Sequence, residues 1–123
     1  MNTPLKTFIV LVLVGLGAGC ANDNEEDLYP ETAICDTSAV TFAGTIQPIL
    51  AQNCNSCHAQ AIASGGVILD AYAGVKKQAD NGRLVGAINH AAGFVPMPLG
   101  GTKLADCNIA KIQKWVADGA PNN

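Results

Sequence analysis

Charged and aromatic residues are both scarce in this sequence. Of its 123 residues, 14% are Asp, Glu, Lys or Arg and 5% are Phe, Trp or Tyr, whereas 49% are apolar. So few charges argue against the basic surface that a nucleic-acid-binding protein needs, and so many apolar residues argue against a wholly disordered chain. No internal repeat occurs, which excludes solenoids and propellers. The length suits one ordinary domain.

A long hydrophobic run is also lacking. The uncharged block at residues 8–18 has eleven residues, whereas a helix that crosses a bilayer needs about 20. The block follows Lys6 and leads through small residues to Cys20, which is the pattern of a secretory signal.

The stretch Gly17-Ala18-Gly19-Cys20 resembles the lipobox of bacterial lipoproteins, although Gly17 stands where that family usually has Leu. The resemblance implies that residues 1–19 are removed. It also implies that lipidated Cys20 anchors an exported protein to a membrane, in the periplasm or at the cell surface. Ordinary signal cleavage without lipid is the alternative.

Basic residues are absent from the segment that follows. Residues 20–34 contain five acidic side chains and no Lys or Arg, whereas residues 35–123 contain six basic and five acidic ones. We therefore expect residues 20–34 to be an acidic, flexible tether and residues 35–123 to be the folded domain.

The most specific motif is Cys54-Asn55-Ser56-Cys57-His58. The C-x-x-C-H spacing is that of c-type haem attachment. The two thiols add to the two vinyl groups of one porphyrin, and His58 binds the iron through Nε2. A bare C-x-x-C also occurs in redox disulfides and zinc sites, but the sequence has neither a β-α-β pattern nor a second C-x-x-C. The motif therefore predicts one covalent haem c held by Cys54, Cys57 and His58.

Residues 40–120 resemble the class I cytochromes c, and in particular small bacterial single-haem domains. The resemblance rests on the haem motif, the Ile46–Leu50 run before it, a late Pro96-Met97-Pro98 and a closing helix with Trp115. It implies an all-α cytochrome c fold, with three to five short helices packed around one covalently bound haem.

Met97 is the candidate for the second axial ligand of the iron. It is the only methionine besides the initiator, and it lies between two prolines that stiffen the loop presenting it. His90, the only other histidine, is the rival ligand. Arg83 is a candidate partner for a haem propionate, because a buried carboxylate favours a charge-assisted hydrogen bond. An exposed arginine at a helix start is the alternative for Arg83.

Two cysteines, Cys35 and Cys107, remain after these assignments. In an oxidising compartment two such cysteines usually pair, and cytochrome c folds pack their terminal helices together. We expect a disulfide between them; two independent thiols are the alternative.

Helix signals occur along the whole predicted domain. Thr45, Asp70 and Asp106 are each expected to cap a helix, and Gly residues are expected to end two of them. The predicted helices are 46–52, 71–79, 83–89 and 107–118, with an extended piece at 67–69 and a loop at 93–101. No alternating strand pattern of useful length appears.

These features predict a single-electron carrier that passes electrons between a redox protein donor and acceptor. With His58 and Met97 closing both axial positions, the iron has no open site for a substrate, which suits electron transfer and not an enzyme. No nucleophile–base or carboxylate pair indicates another active site. The alternatives are a haem enzyme or gas sensor with a labile Met97, and a binding module without haem.

Overall fold

The structure, a computed structural model of the chain, describes residues 35–123. The predicted signal at residues 1–19 and the predicted tether with lipidated Cys20 at residues 20–34 lie outside the described residues. Within residues 35–123 the protein is all-α and has no strand, which confirms the all-α class that the sequence predicts. No helix in this range is long and apolar enough to cross a membrane.

The described chain contains five α-helices and two short helices of other types. In order they are a π-helix (Phe42–Ile46), α1 (Gln47–Asn53), α2 (Asn55–His58), a 3₁₀ turn (Ser64–Gly66), α3 (Tyr72–Asp80), α4 (Arg83–Ile88) and α5 (Asp106–Ala117).

The first helical segment begins earlier than the sequence predicts. Thr41 is extended and its side chain accepts a hydrogen bond from the Gly44 N–H, so Thr41 caps the segment and the prediction for Thr45 was wrong. The Thr45 hydroxyl instead accepts a hydrogen bond from the Thr41 N–H. The π-helix continues into α1, which has Pro48 in its first turn.

The other two predicted caps were also wrong, for different reasons. Asp70 accepts a hydrogen bond from the Gln60 N–H at 2.8 Å, and α3 starts after Ala71 without a side-chain cap. Asp106 is the first residue inside α5, where its charge favours the positive end of the helix dipole. The predicted ends are right: Gly82 and Gly119 take φ of 74° and 92° directly after α3 and α5.

The beginning and the end of the described chain pack together around Trp115. We call this cluster the terminal core; it consists of Phe42, Ile46, Leu50, Ile112 and Trp115. All but Phe42 have an exposure of 0%, and the Phe42 and Trp115 ring centroids lie 5.6 Å apart. The α5 side chains Ile112 and Trp115 are therefore fully buried.

Hydrogen bonds hold the C-terminal residues of the described chain, and a disulfide holds its start. The Trp115 Nε1–H donates to the Pro121 carbonyl and the Tyr72 hydroxyl donates to the Ala120 carbonyl, both at 2.9 Å. Cys35 and Cys107 form a disulfide, which joins the start of the described chain to the first turn of α5.

The opposite side of the core is formed by irregular chain. Residues 67–69 are non-helical, as expected, and so is the segment 93–101 between α4 and α5. We call residues 93–101 the ligand loop. Three of its apolar side chains are exposed, namely Phe94, Val95 and Leu99.

Candidate functional site

One cavity brings together five of the six candidate site residues that the sequence singles out, and His90 is the exception. The cavity measures 580 Å³ and is bounded by α1, α2, α4 and the ligand loop. Its lining includes Cys54, Cys57, His58, Arg83 and Met97. A second concavity, of 710 Å³, lies over α3 and contains none of these five residues.

The junction between α1 and α2 presents the three residues of the haem motif. Cys54 ends α1 and precedes α2 in a non-helical conformation with φ −127°. The N–H groups of Cys57 and His58 both donate to the Cys54 carbonyl, at 3.1 and 2.9 Å. This tight turn puts residues three and four positions apart on one side, which is why the motif faces a single cavity.

The His58 ring is oriented by a backbone carbonyl. Its Nδ1 lies 3.3 Å from the Val67 carbonyl oxygen, and a carbonyl can only accept, so Nδ1 carries the hydrogen in this contact. The lone pair of Nε2 is then free to bind a metal. A 2.7 Å hydrogen bond from the Leu69 N–H to the His58 carbonyl ties the same extended piece to the end of α2.

The two thiols of the motif differ in their environment. Cys57 is exposed, whereas Cys54 is half-buried against the core. Burial raises the pKa of the Cys54 thiol to about 11, because the charged thiolate loses solvation. Cys54 is therefore the less acidic and less accessible of the two thiols.

Met97 is half-buried in the ligand loop and lines the cavity. Its N–H donates to the Ala87 carbonyl at 3.0 Å, and its carbonyl oxygen lies 3.0 Å from the Nε2 of His90. The Phe94 ring packs on Gly86 of α4, so closely that a Cβ at Gly86 would lie 2.6 Å from three ring atoms. These contacts seat the loop on α4.

His90 and Arg83, the rival ligand and the candidate propionate partner, lie at opposite ends of α4. Arg83 is its first residue, is exposed and lines the cavity. His90 follows the helix and is exposed, and it is not among the lining residues of the cavity.

Sequence reasoning missed two contributions to this site. Gln78, the one buried polar side chain of the described residues, lines the cavity from α3. It follows the buried Val75 by three positions, so helical periodicity contains the signal. The Val67 carbonyl that orients His58 is a backbone group, so the residue type at position 67 does not predict this contact.

The site offers only a small set of metal ligands. Within residues 35–123 no three His, Cys, Asp or Glu side chains lie close enough together to hold a metal ion.

Comparisons of the chain with protein-family models, with curated proteins and with solved structures find no match.

Proposed function

We propose that this protein is a monohaem c-type cytochrome that carries single electrons between a donor and an acceptor redox protein. The observation that carries the proposal is the shared cavity. Cys54, Cys57 and His58 come from one turn of the chain and Met97 from a loop about forty residues later, yet all four line it.

The cavity and its donor set fit a haem. Its volume of 580 Å³ lies within the roughly 300–1,000 Å³ of cofactor and ligand sites. Its lining is mainly apolar, with Leu69, Leu84 and Ile88 behind the motif. An apolar wall suits a porphyrin face, and an imidazole with a thioether is a ligand pair of electron-carrying c-type haems.

Each candidate residue has a distinct role in this proposal. The Cys54 and Cys57 thiols would hold the haem through thioether bonds to its two vinyl groups. His58, with Nδ1 held by the Val67 carbonyl, would offer Nε2 to the iron. Met97 would offer its thioether sulfur to the iron. Arg83, at the edge of the cavity, is placed to pair with a propionate.

The site favours electron transfer over catalysis of bond cleavage. When bound, the haem iron supplies the one-electron step between its ferric and ferrous states. The chain would supply His58 and Met97 as iron ligands and a mainly apolar cavity wall, with exposed apolar side chains at Phe94, Val95 and Leu99. Such a patch suits contact with another protein, and we propose that both redox partners dock near it.

The helical arrangement supports a cytochrome c fold as part of this proposal. Five short α-helices surround the cavity and the terminal core, and the last helix contacts the first helical segment. That is the packing of the terminal helices that the resemblance to class I cytochromes c implies.

We also propose that the protein works outside the cytoplasm, anchored by lipid at Cys20. The motif at Gly17–Cys20 carries this proposal. The disulfide between Cys35 and Cys107 supports it, because such bonds persist in oxidising compartments.

A haem stain and a pyridine haemochrome assay on the exported protein test the proposed function. We expect one covalent haem per chain in the wild type and none in the Cys54→Ala/Cys57→Ala variant. Ser56→Ala is the matched control, because Ser56 is exposed between the two cysteines and lines the same cavity. It should keep the haem; a wild-type protein without haem contradicts the proposal and favours the binding module.

A haem enzyme or gas sensor is the second candidate, and the exposure of the ligand loop favours it. Val95 and Leu99, on either side of Met97, are 60% and 75% exposed, so few contacts oppose release of Met97 from the iron. Carbon monoxide titration of the reduced protein separates the two. We expect weak binding in the wild type and tight binding in Met97→Ala; tight binding in both favours the enzyme or sensor.

A further inference from the structure

We propose that His90 is a positioning residue, whose Nε2–H holds the Met97 carbonyl and thereby keeps the thioether at the cavity. The contact is independent of any cofactor. The consequence for an iron ligand rests on the proposed function. No ring nitrogen of His90 acts as a metal ligand in this arrangement.

The geometry of the contact fixes its direction. The His90 Nε2 and the Met97 carbonyl oxygen are 3.0 Å apart. A carbonyl oxygen has no hydrogen to donate, so Nε2 is the donor. On the other side of the same residue, the Met97 N–H donates to the Ala87 carbonyl at 3.0 Å. Both backbone polar groups of Met97 are therefore held by the C-terminal end of α4.

The ligand loop has few other polar ties near Met97. Pro96 and Pro98 have no N–H to donate. Among the hydrogen bonds that the structure describes for residues 95–99, only the two at Met97 reach α4 and its C-terminal turn. The Gly101 N–H donates to the Pro98 carbonyl and so closes the loop only on itself. Loss of the His90 contact would leave the Met97 backbone with one hydrogen bond, the one to the Ala87 carbonyl.

The backbone of His90 gives independent support. Asn89 ends α4 and His90 follows it with φ +55°, which is the left-handed position where a helix normally ends with Gly or Asn. A residue with a Cβ is disfavoured there, and unfavourable backbone conformations tend to persist where a side chain has a function. Glycine at this position would end the helix with less strain, but it could not reach the loop.

The position of the His90 ring also bears on which of the two candidate residues, Met97 or His90, would bind the iron. The His90 ring is engaged with the carbonyl of Met97 and is not part of the cavity lining. The two residues therefore act together here, one presenting the sulfur and the other holding the segment that presents it.

Two substitutions at His90 separate the side-chain contact from the backbone effect. His90→Asn keeps a residue that tolerates the left-handed conformation, but its shorter amide ends near the place of Nδ1 and does not reach Met97. His90→Gln has a longer side chain whose amide N–H reaches the place of Nε2. Both are made in the full chain, and their circular dichroism spectra are compared with that of the wild type.

The primary measurement is hydrogen exchange of the Met97 amide. We expect exchange about 2- to 10-fold faster in His90→Asn, which is the factor that one neutral hydrogen bond contributes. In the reduced haem protein, carbon monoxide binding should accelerate by a similar factor. In the oxidised haem protein, the near-infrared absorption of methionine-ligated c-type haem should weaken. His90→Gln should restore most of each change.

Equal exchange in His90→Asn and the wild type overturns the proposal, and so does a His90→Gln variant that is no better than His90→Asn. If His90→Asn instead opens the iron as fully as Met97→Ala does, His90 itself is the ligand and the proposal fails. The pyridine haemochrome of the same samples reports on the proposed function separately. Protein without haem would contradict that function, while the Met97 exchange rate would still test the contact.

Discussion

The terminal core and the ligand loop differ in how their apolar side chains are covered. Ile46, Ile112 and Trp115 are fully buried by other side chains of the chain itself, whereas Val95 and Leu99 are 60% and 75% exposed. The C-terminal residues that follow α5 are also held by hydrogen bonds from Trp115 and Tyr72. The ligand loop rests on α4 through Met97, Phe94 and His90.

The difference separates stability from function in this small domain. Burial of apolar surface is the main source of folding free energy, so most of the stability should come from the terminal core. Regions with few buried contacts open most easily. The ligand loop is therefore the part of the domain whose contacts can be changed to alter the site without unfolding the protein.

Truncation of Trp115 should have the largest effect on stability. Trp115→Ala removes a ring with 0% exposure and the hydrogen bond to the Pro121 carbonyl, and should lower the free energy of unfolding by about 3–5 kcal/mol. Urea denaturation followed by circular dichroism measures it. The matched change in the loop, Leu99→Ala, removes a side chain that is 75% exposed and should cost at most about 0.5 kcal/mol. Equal losses in the two variants would contradict the comparison.

Removal of the disulfide should have the next largest effect. The bond joins residues 72 positions apart, and loops of this length gain about 2–4 kcal/mol from cross-linking, mainly by restricting the unfolded chain. Cys35→Ser/Cys107→Ser should lose stability in this range in urea denaturation. Because neither cysteine lines the cavity, carbon monoxide binding at moderate temperature should not change. Faster binding would show that the disulfide and the ligand loop are coupled.

The terminal core and the site were predictable from the sequence to different degrees. The ends of α3 and α5 were predicted because Gly82 and Gly119 take conformations that favour glycine. The helix caps predicted at Thr45 and Asp70 were wrong, because these side chains accept hydrogen bonds from backbone N–H groups outside the predicted helices. Asp70, for example, bonds to the Gln60 N–H ten residues away.

In the site, local spacing predicted Cys54, Cys57 and His58 because one turn of chain contains all three. The partnership of His90 with Met97 depends on how the ligand loop returns to α4, and the Val67 contact uses a backbone carbonyl. Neither leaves a pattern in the residue types. The sequence could therefore name candidates for the site but not the contacts that orient them.

A methyl group at Gly86 should disturb the ligand loop more than the terminal core. Alanine normally stabilises a helix relative to glycine by about 0.5–1 kcal/mol. Here its Cβ would lie 2.6 Å from the Phe94 ring, so Gly86→Ala should instead cost about 1–3 kcal/mol and accelerate carbon monoxide binding. Phe94→Ala removes the obstacle, and in that background Gly86→Ala should be neutral or stabilising. A double-mutant cycle in urea measures the coupling; additive effects would show that the ring does not rest on Gly86.

The smallest effect on stability is expected at Arg83, whose charged side chain is exposed at the edge of the cavity. Arg83 is exposed, so its replacement should change stability by at most about 0.5 kcal/mol. A positive charge near the haem favours the ferrous state, because reduction adds negative charge. Arg83→Ala should therefore lower the reduction potential, and the roughly 0.2–1 kcal/mol of an exposed ion pair corresponds to about 10–40 mV for one electron.

Arg83→Lys keeps the charge but not the paired N–H groups that can bind a propionate, so it should retain most of the potential if charge alone acts. Potentials measured at low and high salt complete the test: screening should shrink the Arg83→Ala shift, and a shift that persists at high salt would indicate a direct propionate contact. No shift in either salt would remove Arg83 from the site, leaving the cavity residues Cys54, Cys57, His58 and Met97 to account for haem binding.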